Sequence, residues 1–156
     1  MVRTKELGVF KTRIQNALFK SDAIRDLILG NTEYTNDAIK EFRRHVNSHL
    51  FVDDTIKDTD TFIFFDVYMP VLRPQTKNIQ VIMYAICHRD ILEDYSKEGY
   101  FGNRADILAE LIEETLTDKK IVKEFGIGDL LLDSIDIYNA NSFYGRILSF
   151  SVPNFR

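Results

Sequence analysis

The sequence predicts an α+β fold: a mainly antiparallel sheet of two hairpins, packed with a helix between them and with helices ahead of them. Three observations carry this reading. Apolar residues recur at helical spacing through the first third, two later stretches alternate with a period of two, and one strongly amphipathic helical pattern lies between those stretches. A chain of 156 residues buries about 70% of its unfolded surface as one domain. Residues 1–156 therefore read as a single domain with an N-terminal helical part over about 5–49.

From Lys5 to Leu29 the apolar positions are Leu7, Phe10, Ile14, Ala17 and Leu18, then Ile24, Leu27 and Ile28. Ser21 before Asp22 reads as a restart cap and Gly30-Asn31 as a stop, which predicts a helix, a break near Lys20 and a short second helix. Thr35 caps a third helix expected to run to about His49, with Ala38, Ile39, Phe42 and Val46 on one face. The following LFVDDTIKDTDT is an acidic loop without helical period.

Two strands are expected in TFIFFDVYMPVLRPQTKNIQVIMYAICH, joined by a turn over Arg73-Pro74-Gln75-Thr76-Lys77. Ile63, Phe65, Val67 and Met69 fall on one face of the first, and Phe62, Phe64, Asp66 and Tyr68 on the other. Both faces of this hairpin are largely apolar. One face is expected to meet the chain's own helices and the other, at Phe64, a second subunit.

Arg89 to Tyr100 is charged and irregular, with Gly99 and Gly102 at its end. Asn103 to Lys120 reads as one helix with Leu108, Leu111, Ile112 and Leu116 inward and Lys119 and Lys120 in its last turn. After FGIG, the segments DLLLDSIDIY and FYGRILSFSV form a second hairpin across Asn139-Ala140-Asn141-Ser142, with a bulge at Asp133-Ser134. In the last strand Leu148, Phe150 and Val152 point inward. Pro153, which donates no ladder hydrogen bond, is expected to end the pairing and leave Asn154, Phe155 and Arg156 beyond it.

Composition narrows the function. Hydrophobic residues at 45% and charged ones at 28% describe a globular chain, and no apolar run approaches the roughly 20 residues that cross a bilayer. MVRTKELG lacks the apolar core of a secretory signal, so a cytoplasmic origin is expected. The single cysteine, Cys87, reads as a small buried hydrophobe. A net charge of −4 speaks against an extended nucleic-acid surface.

Candidate chemistry is sparse. His88-Arg89-Asp90 spells a kinase catalytic-loop tripeptide, but Tyr95 stands where that loop needs asparagine. His45 and His49 would share a helical face, yet lack the glutamate and third ligand of a zinc site. Asp53, Asp54, Asp58 and Asp60 miss the spacing of a calcium loop. Gly126-Ile127-Gly128 follows a helix and precedes a strand, which is turn chemistry rather than a dinucleotide fingerprint. No catalytic, cofactor or metal residue is assigned.

The segments HLFVDDTIKDTDTFIFFDVYMP, IQVIMYAICH, RADILAELIEETL and FGIGDLLLDSIDIYNANSFYGRILSFSVPNF, spanning Phe51 to Phe155, resemble the tail-terminator or tail-completion proteins of long-tailed bacteriophages. What the resemblance implies is a non-enzymatic virion protein in the tail or neck, assembled in the host cytoplasm. It implies a homo-hexameric ring that caps the tail tube and meets the head-connector proteins while the genome passes through its lumen unbound. An acidic lumen would let DNA slide. Candidate contact residues are Phe64 for assembly, Arg73, Pro74 and Lys77 at the hairpin turn, and Phe155 and Arg156 at the tail. Two other readings are a metal-dependent nuclease or hydrolase using His45, His49 and the aspartate loop, and a small dimeric adaptor.

Overall fold

The computed structural model describes residues 3–50, 59–70 and 77–155. Helix α1 (Arg3–Lys20) turns Phe10, Ile14, Ala17 and Leu18 inward. Ser21 then leaves helical geometry and its hydroxyl accepts from the Ile24 amide, starting α2 (Asp22–Leu29), which Gly30 ends in the left-handed region at φ 78°. Both the break and the stop lie where the residue chemistry places them. Thr35 caps α3 (Asn36–His45) by accepting from the Ala38 amide at 3.1 Å.

The third helix is shorter than its periodicity predicts. It ends at His45, and Val46–Asn47 becomes strand β1, running parallel to the next strand with Val46 opposite Ile63. Val46 is wholly buried there. Its branched side chain suits a pleated strand, and sheet pairing outweighs one more helical turn.

The sheet continues through β2 (Thr61–Tyr68), β3 (Lys77–His88), β4 (Leu131–Ala140) and β5 (Phe143–Phe155) in the order β1-β2-β3-β5-β4. Among the described residues only β1 pairs in parallel; β2 with β3, β3 with β5 and β5 with β4 are antiparallel. The α+β class and the mainly antiparallel sheet therefore stand as expected. Phe65 faces Met83 and Met83 faces Leu148, so these residues share one face and join the core beneath the helices.

Three features of β4 and β5 decide their geometry. Asp133 has no counterpart on β5, where Leu132 faces Phe150 and Ser134 faces Ser149, so the bulge lies at the expected place. The connection passes through Asn141 and Ser142 at φ 53° and 70°, the left-handed pair of a two-residue turn. At Gly145 the neighbouring strand comes so close that a Cβ would overlap the Ala85 carbonyl oxygen and lie 2.7 Å from Ile86 Cα.

Pro153 does not end the pairing. Val152 faces Ile79 and Phe155 faces Lys77, with one residue more on β5 than on β3 between these pairs. The proline falls in that bulge, where a missing amide costs no regular ladder bond, and the strand continues to Phe155.

The long helix expected from Asn103 is two. Asn103 and Asp106 form a reciprocal capping box for α4 (Arg104–Thr117). Asp118 then takes extended geometry and accepts from the Lys120 and Ile121 amides at 2.8 and 3.2 Å, which starts α5 (Lys119–Phe125). Lys119 and Lys120 thus stand in a first turn, where the dipole disfavours cations and the Asp118 carboxylate offsets them.

The far side of the sheet carries a smaller cluster of Phe62, Phe64, Ile86 and Phe143, with Tyr84 and Tyr138 packed against it. Phe64 is only 2% exposed in the single chain. The expectation that a second subunit covers this face is corrected at Phe64, which the chain buries by itself.

Candidate functional site

The contact residues expected from the sequence separate. Arg73, Pro74 and Arg156 lie outside the described residues, as do Asp53, Asp54 and Asp58 of the acidic loop. Lys77 opens β3 and Phe155 closes β5, and the register sets these two opposite each other at one corner of the sheet. Phe64 is core.

The histidine pair is dismantled by the end of α3. His45 is buried, stacks on Phe62 at 5.3 Å between centroids and places Nδ1 3.0 Å from the Thr61 carbonyl oxygen. A carbonyl only accepts, so Nδ1 carries the hydrogen. His49 lies beyond β1, its ring 5.8 Å from that of Phe64. Both imidazoles pack on the small aromatic cluster. Among the described residues no three metal-capable side chains come together. His88 caps the short 3-10 turn Arg89–Ile91, accepting from the Asp90 amide at 3.1 Å, a structural use of the kinase-like tripeptide.

What the sequence reading passed over is exposed apolar surface. On β4, Leu131 is exposed, Ile135 is 56% exposed and Ile137 is 64% exposed. This strand is the sheet edge, with no strand on its outer side among the described residues. Ile135 faces Leu148 and Ile137 faces Arg146, so both lie on the helix-bearing face just beyond the cover of α4. A cleft of about 210 Å³ runs there, with Ile135 and Leu148 among its lining and Glu110, Glu113 and Asp106 beside them. Arg146 is tied to Asp106 at 3.0 Å. Asp133, Asp136, Glu110 and Glu113 form no ion pair among the described residues.

A second cleft, also about 210 Å³, lies between α1 and α3 and is lined by Phe19, Tyr34, Ile39, Phe42 and Phe125 with Arg43. Phe19 stacks on Tyr34 at 4.9 Å and meets Phe42 edge-on at 5.2 Å. Tyr34 is 59% exposed, with the Lys20 ammonium 5.4 Å above its ring. Elsewhere Phe101, 85% exposed, stands in a turn bracketed by Gly99 and Gly102 at φ 85° and 94°. An aromatic between two glycines was the available signal for it. For Ile135 and Ile137 the alternating pattern gave none, because it is the same for a covered strand and an open edge.

Among the described residues no helix is long and apolar enough to cross a membrane. No curated protein and no solved structure matches the chain. The model of one family, described as YomW, matches residues 12–152, from the first helix to the end of the core-forming part of β5. The sequence's phage resemblance thus holds at the level of a phage association. On that match the chain belongs to the YomW family, a phage-associated family.

Proposed function

We propose that this protein is a structural, non-enzymatic component of a phage tail or neck. Its copies form a ring, six in number, that caps the tail tube and presents a surface to the head-connector proteins. The observation that carries the reading is the open edge strand β4, ten residues long and exposed along most of its length, with Leu131, Ile135 and Ile137 uncovered. Beyond its bulge at Asp133 this edge offers main-chain pairing and apolar contact to another chain. Family membership supports the phage setting. The chain's net charge of −4 suits a lumen that passes DNA without gripping it.

The test has two arms. Electron microscopy of the purified protein is expected to show rings of uniform subunit number with a central opening. Deleting its gene from an inducible phage is expected to leave filled heads and separate tails of irregular length. Intact infectious particles from the deletion strain would overturn the proposal.

A further inference from the structure

We infer that the ring closes head to tail, the Ile135–Ile137 stripe of one copy seating in the aromatic cleft of the next. This rests on the ring reading above and names the interface that builds it. The two surfaces belong to opposite ends of the sheet. β4 is one edge, while α3 and the cleft it lines sit beside β1 and β2 at the other. A contact between two different patches on successive copies repeats around a closed ring, whereas a two-fold contact uses the same patch twice.

Shape and charge both favour a second copy as the occupant. The stripe is an apolar centre with Glu110 and Glu113 of α4 beside it and Asp133 in the bulge of the same strand, all without ion pairs among the described residues. The cleft is an aromatic hollow with Arg43 in its lining, Lys20 over Tyr34 and exposed Lys40 on the same helix as Arg43. Neither Lys40 nor Arg43 forms an ion pair among the described residues. Each surface lacks what the other holds: an apolar filling for the hollow and opposite charge for the rim. Pairing β4 with β4 would instead gather carboxylates on both sides of the contact.

The test uses two variants of the whole chain. One breaks the stripe, Ile135→Lys with Ile137→Lys; the other breaks the cleft, Tyr34→Ala with Arg43→Glu. All four positions are exposed, and circular dichroism checks that helix and strand content match the parent. By analytical ultracentrifugation each variant is expected to sediment as a monomer, while their equimolar mixture forms a dimer and nothing larger. Only one intact stripe and one intact cleft meet in that mixture. Milder changes, Ile137→Ser and Arg43→Gln, are each expected to weaken parental assembly by about tenfold in dissociation constant. Assembly of either double variant like the parent overturns the head-to-tail interface, as does a mixture that stays monomeric while the parent assembles. A parent that is monomeric at every concentration overturns the ring reading itself.

Discussion

Arg25 is 2% exposed, and its guanidinium serves the helical layer as a clamp. It donates to the Phe19 carbonyl, to the Asp22 carboxylate and, at 3.2 Å, to the Thr32 carbonyl, and it lies over the rings of Phe19 and Tyr34. Arg25→Met keeps the bulk but strands two carbonyls, so urea unfolding is expected to show a loss of about 2–4 kcal/mol. Phe64→Asp puts a carboxylate into a site the chain already closes. The expected result is loss of the folded state rather than a folded monomer, read as collapse of the near-ultraviolet dichroism. Burial pushes the Cys87 thiol from its ordinary 9.0 up to about 12, against the opposing pull of Arg104. The folded state therefore holds a proton that the unfolded chain releases above pH 9. Stability from this group is full below pH 9 and is lost as pH rises toward 12, at about 1.4 kcal/mol per unit. Urea curves at pH 8 and 10.5 are expected to show a steeper loss for the parent than for Cys87→Ala.

At the scale of elements, Asp106 joins two of them. One carboxylate oxygen accepts the Asn103 amide at 3.1 Å to complete the cap of α4, and the other meets Arg146 of β5 at 3.0 Å. Asn103→Ala removes one capping bond and is expected to cost about 1 kcal/mol. Asp106→Ala loses its half of the box and the link to the sheet together, for about 2 kcal/mol. Both partners of the ion pair are 28% exposed, so a double-mutant cycle of Asp106 and Arg146 is expected to give a coupling below about 1 kcal/mol. Gly145→Ala is expected to cost more than either cap. A methyl group there meets the backbone of β3, which has no flexible side chain to move aside, and the two strands must part along a central pairing.

The whole molecule has an apolar edge with carboxylates beside it at one end and an aromatic cleft with Arg43 and Lys20 about it at the other, so the proposed head-to-tail assembly is expected to be sensitive to both concentration and salt. Anything that binds only the folded state raises its apparent stability by mass action. Melting temperature is therefore expected to rise with protein concentration for the parent and to stay constant for the stripe-broken variant. Ionic strength well above physiological shortens the Debye length to roughly 3 Å at 1 M. Sedimentation at that salt is expected to shift toward the monomer, and unchanged assembly would remove charge from the account of the interface.

Local chemistry determined much of this protein from its sequence alone. Ser21, Gly30 and Thr35 mark helix ends, Asn141-Ser142 a turn and Asp133 a bulge, because caps and turns depend on a residue's own hydrogen bonds and backbone preference. The alternating segments likewise placed Ile63 with Phe65 on one face of their strand and Leu148 with Phe150 on the inward face of theirs. Tertiary structure alone decided whatever depended on a distant neighbour. Val46 left its helix to pair with β2, Pro153 was carried through a bulge, and Phe64 was buried by its own chain beside His49 and Phe62. The site was the least legible part, since Ile135 and Ile137 carry the same pattern as core residues. Their exposure follows from β4 lying last in the sheet beyond the reach of α4, and strand order is set by long-range pairing that no window of sequence contains.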